Sequence, residues 1–289
     1  MKVLIAGAAG QLGRALQRTA PAGTTIVALT RQQLDIGEER LVSECVRQHK
    51  PDLIINAAAY TAVERAESEP AAAQRINVDG PRYIAENARQ LGVRLLHVST
   101  DFVFDGTASL PYSPDASTNP LSVYGRTKRD GEHEVLRILP QQSLILRTAW
   151  VYAAQGANFL STMLRLMNAG KPVRVVVDQI GTPTAAASLA AVLWRLADRP
   201  ELYGIQHWTD AGVASWYDFA VAIAEEAAPL KLVPGEIIVE PIPASEFPTR
   251  AVRPRYSVLD KTALQTALAL APVHWRVRLR EVLREVSHA

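Results

Sequence analysis

The first eighteen residues restrict the fold more than any other segment. Lys2–Ala6 is a short apolar run suited to a buried strand, Gly7-Ala-Ala-Gly10-Gln-Leu-Gly13 follows at once, and 14–18 continues in a helical pattern. Glycines at this spacing permit a tight turn, let the backbone approach a pyrophosphate and allow close helix packing, while the helix N-terminus offers its N–H groups to the anion. Gly7, Gly10 and Gly13 are therefore candidate cofactor residues. On this segment alone, a glycine-rich turn without a ligand is the alternative.

The same alternation runs on. Apolar segments at Thr25–Leu29, 52–56, 94–98 and 143–146 are separated by helical patterns, which predicts an α/β fold with a Rossmann-type doubly wound parallel sheet. Ligands of such a sheet bind beyond the carboxyl ends of its strands, so the residues just after each run are the ones to inspect. These are the glycine loop, Thr30-Arg31, Ala57-Ala-Ala-Tyr60-Thr61, Ser99-Thr100-Asp101 and Arg147-Thr-Ala-Trp150-Val-Tyr152. Beyond about residue 150 the pattern loosens: 158–169 reads as an amphipathic helix, 178–184 as a turn into another helix, and 200–270 is punctuated by prolines. The expected division is an NAD(P)-binding domain over 1–150, completed by about 182–200. Residues 151–181 and 201–289 would form a smaller α/β substrate lobe, with the chain crossing between lobes more than once.

Tyr124 and Lys128 are four residues apart, so on a helix they rise from one face a turn apart. A tyrosine hydroxyl titrates near ~10, and a fixed cation beside it favours the phenolate, which brings proton exchange nearer neutral pH. The Thr100 hydroxyl, leaving the end of a strand, would hold the carbonyl oxygen that receives the proton. Taken alone, Tyr124 reads equally as a half-buried helix aromatic and Thr100 as a strand-end cap; the glycine loop in the same chain gives the set its chemical meaning.

Composition narrows the function classes. A net charge of +2 with 21% charged residues argues against electrostatic binding to nucleic acid. In the arginine-rich stretch 276–284, Leu279, Val282, Leu283 and Val286 fall at helical spacing, so the arginines form a solvated face. The single cysteine, Cys45, excludes an internal disulfide and reads as a packed thiol, which points to a reducing compartment. His97, His133 and His207 are scattered without ligand spacing, so no metal site is expected. The apolar start is too short for a signal peptide, and the run 185–193 is broken by Arg195 before it spans a bilayer. A cytoplasmic monomer or homodimer without a membrane partner is the expectation.

Six segments together carry a resemblance: Gly7 to Gly13, Asn56 to Val63, Ser99 to Gly106, Tyr124 to Lys128, Arg147 to Tyr152 and Asp178 to Thr184. The chain resembles the dTDP-4-dehydrorhamnose reductase family of the extended short-chain dehydrogenases, in register from residue 1 to about 286. The first-loop spacing G-x-x-G-x-x-G is the variant found in that superfamily. The resemblance implies reduction of the C4 ketone of dTDP-4-dehydro-β-L-rhamnose by NADPH, with NADH possible, as the last step of dTDP-L-rhamnose synthesis. It implies that Gly10, Gln11, Leu12, Asp35, Ile36, Ala59, Tyr60 and Thr61 line the cofactor, and that Thr100, Asp101 and Trp150 touch the nucleotide sugar. Tyr124 would protonate the ketone oxygen, and Lys128 would also bind the nicotinamide ribose. Some relatives place a magnesium ion near the first helix through a glutamate; this chain has Ala15 there.

Several assignments keep two readings. Thr30 is uncharged and Arg31 is suited to a 2′-phosphate, which predicts a preference for NADPH; alternatively Arg31 is a solvated loop residue and Asp35 reaches the ribose. Asp35 either bonds the adenine amino group, as the resemblance favours, or caps the helix opening near Gly37, and Trp150 either stacks on base or sugar or fills the junction between lobes. Asn158, Gln179 and Arg253 are candidates for the sugar and diphosphate, which need donors and an arginine fork. Two other functions compete. One is a sister 4-epimerase or 4,6-dehydratase, although dehydratases place a glutamate where Phe102 stands; the other is a non-catalytic NADP-binding regulatory subunit, which needs no intact Thr, Tyr and Lys set.

Overall fold

Val3 and Ile5 leave one side of the first strand and Leu4 and Ala6 the other, and each set is buried in a different core. The same alternation, which follows from the two-residue period of a strand, divides the neighbouring strands. Leu53, Ile55, Leu96, Leu144 and Leu146 join Val3 and Ile5, and Ile54, Leu95 and Ile145 join Leu4. Helices cover both faces: Gln11–Arg18 and Ala186–Ala197 on the first, Glu39–His49, Gly80–Leu91 and Val123–Ile138 on the second. Each fully buried leucine or isoleucine contributes ~1.5–3 kcal/mol, so a one-residue slip of any strand is heavily disfavoured.

This computed structural model describes residues 1–288 apart from Lys171 and Glu236. Strands β1 (Lys2–Ala6), β2 (Thr25–Leu29), β3 (Leu53–Asn56), β4 (Arg94–Thr100), β5 (Ser143–Thr148) and a further strand, Gly204–His207, form one six-stranded sheet. All its pairings are parallel. In spatial order β2 and β3 flank β1, and β4, β5 and Gly204–His207 continue outward beyond β3. The winding reverses at β1, so the crevice opens above β1 and β3.

Gly204–His207 corrects the expected boundary at 201, because it completes the main sheet instead of belonging to the second lobe. It pairs on one side only and is mostly half-buried, so it lacks the continuous apolar run that marks the inner strands. Leu264 and Leu268 also return to the first core. The second lobe has its own core, where Leu160 and Met163 of helix Phe159–Met167 meet Phe219 and Ile223 of Trp216–Ala227 and Leu279 and Leu283 of Trp275–Ser287. Along that last helix, Arg276 and Arg280 keep to the outer face and pair with Glu226 at 2.8 Å. Among the described residues, no helix is long and apolar enough to cross a membrane.

Candidate active site

The carboxyl ends of β1, β3, β4 and β5 open into a cleft of about 690 Å³ between the sheet and the second lobe. Gly7 has φ +85°, and a Cβ there would stand 2.7 Å from the Ala58 nitrogen, so the turn and the approach to β3 both require glycine. Gly13 lies outside the cleft and serves packing: a Cβ would meet the Gly7 carbonyl oxygen at 2.3 Å. Gly10 caps the first helix without any side-chain bond to its free N–H groups, and its own backbone faces the cleft beside Gln11 and Leu12. This bare helix N-terminus in a cradle closed to side chains fits a dinucleotide pyrophosphate.

Past β2, Arg31, Asp35 and Ile36 line the cleft, whereas Thr30 turns away and bonds Gln33. The Asp35 carboxylate is well supplied. It accepts from the Gly37 N–H at 3.0 Å and from Arg75 at 2.9 Å, and Arg31 stands 3.8 Å off. Burial raises its pKa, but these bonds outweigh it and leave the group below the usual carboxylate range. Asp35 thus caps the turn before Glu38, which is itself the N-cap of the helix Glu39–His49, and the exposed Arg31 keeps its guanidinium largely free. Arg14, which the sequence reading passed over, also lines the cleft. Ala15 is completely buried against the sheet, in keeping with packing and not with metal ligation.

Past β3, Ala59, Tyr60 and Thr61 line the cleft. Asn77 fixes this segment, accepting from the Tyr60 N–H at 2.8 Å and donating both to the Tyr60 carbonyl and to Thr127 on the Val123–Ile138 helix. That helix brings Tyr124 and Lys128 to the cleft floor, next to Thr100 and Asp101 from the end of β4. Ser122 caps it through the Gly125 N–H at 3.1 Å. The Thr100 hydroxyl donates to Asp101 Oδ1 at 3.0 Å and accepts from the Phe102 N–H at 3.2 Å.

The electrostatics differ from the sequence expectation. Burial pushes the Tyr124 phenol up to about 12, with the Thr100 hydroxyl pulling it down and the Asp101 carboxylate pushing it further up. Lys128 is not among the groups that set this shift; the ring is nine-tenths buried with Phe102 edge-on at 5.6 Å, and burial dominates. Lys128 is itself pushed down to about 8 by burial, against the pull of Glu132, and donates to the Val98 carbonyl at 2.8 Å. Burial raises Asp101 to about 6 against the pull of the Ser257 and Thr100 hydroxyls, and no hydrogen bond is made to its Oδ2. One turn beyond Lys128, Glu132 takes three contacts of 2.7–3.2 Å from the buried Arg147 guanidinium and one from the Ser99 hydroxyl.

The second lobe supplies an aromatic wall. Trp150 lies in the left-handed region at φ 48°, strained for a bulky residue, and stacks on Trp216 with ring centroids 3.5 Å apart. Gly181 makes the arrangement possible, since a Cβ there would sit 2.6 Å from the indole. Both indoles line the cleft, and Trp216 was missed from sequence although Ser215 and Asp218 form a legible capping box on either side of it. Arg253 reaches the cleft and pairs with Glu64 at 2.8 Å. Asn158 and Gln179 do not line it. Asn158 forms a capping box with Ser161, and its amide donates to Ala153 and to Gln11, which commits it to holding the lobes together.

A glycine cradle beneath the sheet reversal, with Thr, Tyr and Lys at the end of the same cleft, defines an NAD(P)-dependent oxidoreductase. The family model described as the RmlD substrate binding domain matches residues 1–288, and the chain belongs to that family. It is 40% identical to the spore coat polysaccharide biosynthesis protein SpsK of Bacillus subtilis, covering 100% of this chain and 99% of that one. It is 41% identical to the dTDP-4-dehydrorhamnose reductase of Aggregatibacter actinomycetemcomitans, covering 97% and 98%. A crystal structure of dTDP-4-dehydrorhamnose reductase from Bacillus anthracis in complex with NADP superposes with a TM-score of 0.92 at 34% identity, covering 98% and 99%. Among the described residues, no group of three or more His, Cys, Asp or Glu is placed to hold a metal ion.

Proposed function

We propose that this enzyme reduces the C4 ketone of dTDP-4-dehydro-β-L-rhamnose to dTDP-β-L-rhamnose with NADPH, in the last step of dTDP-L-rhamnose synthesis. The observation that carries the reading is the meeting of Thr100, Tyr124 and Lys128 in one cleft with the glycine cradle, in a chain about 40% identical to dTDP-4-dehydrorhamnose reductases. NADPH, when bound, supplies the hydride to the ketone carbon. Tyr124 gives its proton to the ketone oxygen, and Thr100 donates a second hydrogen bond to the charge developing there. A phenol held at about 12 is fully protonated at neutral pH, as an acid must be before it acts. Lys128 stands on the same helix face and holds the nicotinamide ribose.

The same reading assigns the first lobe to the cofactor and the second to the sugar. Gly7, Gly10, Gln11 and Leu12 hold the pyrophosphate; Asp35, Ile36, Ala59, Tyr60 and Thr61 border the nucleoside halves; Arg31 takes the 2′-phosphate. The partnerless Asp101 Oδ2 offers an acceptor to a sugar hydroxyl, the Trp150–Trp216 pair offers a flat apolar face, and Arg253 offers a fork to the diphosphate. Phe102 weighs against water elimination, because a phenyl ring has no proton to move.

The test is a single-turnover assay that follows NADPH absorbance with a panel of 4-keto nucleotide sugars. One NADPH should be consumed per dTDP-4-keto-6-deoxy sugar reduced, and dTDP-glucose should stay unchanged. Conversion of dTDP-glucose to a 4-keto-6-deoxy product would make the protein a dehydratase, and silence toward every 4-keto sugar would favour a regulatory subunit.

A further inference from the structure

His97 is a completely buried titratable side chain that this chemistry leaves without a task. It stands on β4 between Asn56 of β3 and Lys128 of the facing helix. The Asn56 amide has its orientation set, because its Oδ1 accepts from the Ala58 N–H at 3.1 Å. Its NH₂ group therefore faces His97 Nδ1, 3.0 Å away. A nitrogen that receives a donated proton must present a lone pair, so the neutral ring carries its own proton on Nε2. Burial, and then the neighbouring Lys128 charge, hold the ring in that neutral form. Nε2 lies 3.4 Å from Lys128 Nζ. An ammonium has only donors and is opposed by an N–H pointed at it, whereas a neutral amine has a lone pair to accept one.

We propose that Asn56 and His97 form a fixed-tautomer pair that donates from Nε2 to the Lys128 amine, favouring its neutral form and making Lys128 a proton-exchanging group instead of a permanent cation. His97 is a positioning residue in this arrangement, since it acts through Lys128. The other groups acting on that amine are the Val98 carbonyl from β4, which accepts from it at 2.8 Å, and Glu132 from its own helix. Glu132 pulls the opposite way, toward the ammonium, and its pairing with Arg147 of β5 blunts that pull. The consequence rests on the assignment of Tyr124 as proton donor. Once the phenol has given up its proton, the phenolate binds a proton more tightly than the lysine does. An N–H bond of the Lys128 ammonium breaks, the Tyr124 O–H bond re-forms, and the neutral amine that His97 stabilises is reprotonated by a hydronium ion or buffer acid, which supplies the one proton the reduction consumes.

The primary test uses the full chain without cofactor, labelled with ¹⁵N-histidine and ¹³C-lysine and followed by NMR. Long-range proton–nitrogen correlations should show His97 protonated on Nε2, and Lys128 should titrate well below the other lysines. His97→Leu should raise the Lys128 midpoint by about one unit, a ~10-fold change in proton affinity. Asn56→Asp keeps an acceptor for Ala58 but accepts from Nδ1–H, reversing the tautomer and turning Nε2 into an acceptor, so the midpoint should rise further. It also serves if His97→Leu fails to fold. A ring protonated on Nδ1 in the unaltered chain, or a Lys128 midpoint unmoved in both folded variants, overturns the proposal. In turnover assays the basic limb of kcat should follow the Lys128 midpoint, and a shifted midpoint with a fixed limb refutes the proton-supplying role. Failure to reduce any 4-keto sugar would refute the functional assignment and leave the tautomer result standing.

Discussion

Arg147→Met would expose how much of the fold depends on one buried charge pair beneath the helix that carries Tyr124 and Lys128. The Arg147 and Glu132 side chains are 2% and 0% exposed, joined by contacts of 3.0, 3.2 and 2.7 Å, with the guanidinium 5.1 Å over the Phe104 ring. Methionine keeps most of the stem and removes the charge, leaving Glu132 with the Ser99 hydroxyl as its partner. Breaking a buried pair by removing one partner costs ~3–5 kcal/mol, mainly because the remaining charge is stranded away from water. Glu132→Leu should cost a similar amount by stranding the guanidinium. The double variant strands neither, so it should lie within ~1–2 kcal/mol of the parent, the main residual loss being the Ser99 bond. Urea unfolding at neutral pH measures all four corners of the cycle. At ~2–4 °C per kcal/mol, the single variants should melt roughly 6–20 °C lower. Single losses below ~1 kcal/mol, or losses that simply add in the double, would refute the account of a dry, mutually dependent pair.

Three further outcomes follow from the cleft. Tyr124→Phe should lower turnover by ~10²–10⁴-fold with little change in NADPH affinity by fluorescence titration, and near-normal turnover would remove Tyr124 as the proton donor. Arg31→Ala should reduce kcat/KM for NADPH by ~10-fold or more and leave the NADH value nearly intact, since its contact with Asp35 is long and exposed; equal losses would show that it merely supports the loop. Gly181→Ala should raise KM for the sugar nucleotide more than KM for NADPH, by driving the Trp150 indole off its stack, and near-ultraviolet circular dichroism should lose the signal of the paired indoles. An unchanged spectrum with normal kinetics would mean that the wall tolerates a methyl group there.

What could be read from sequence is what local chemistry dictates. The inner strands are buried on both faces and therefore carry near-continuous apolar runs, and the glycine loop has few other uses. Tyr124 and Lys128 share a helix face by spacing alone. Gly204–His207 escaped because an edge strand needs no apolar run, and Trp216 because a capping box says where a helix begins but not what its first residue faces. Asn158 illustrates the converse: its amide suits a sugar, yet Ser161 three residues on makes it a cap, and the cap prevails. Tyr124 does line the cleft, but burial pushes its phenol up where the spacing suggested a lowered one, because desolvation and the charge of Asp101 depend on how distant segments pack around the ring.

In the proposed reaction, Thr100 would connect recognition of the sugar to the chemical step. Its hydroxyl has one proton, which in the free chain goes to Asp101 Oδ1, and the Tyr124 oxygen lies close enough to compete for it. To bond a ketone oxygen, Thr100 must release Asp101, whose Oδ2 already lacks a partner. The Ser257 hydroxyl still supports the carboxylate, but a buried carboxylate that loses one of its few donors is costlier to keep charged, so that release is favoured when another donor takes the place of the Thr100 hydroxyl. A sugar hydroxyl beside the ketone can be that donor. On this argument a ligand with the right hydroxyl frees Thr100 to stabilise the developing oxyanion, while one without it leaves Thr100 on Asp101. Selectivity for the sugar would then appear in kcat as well as in KM.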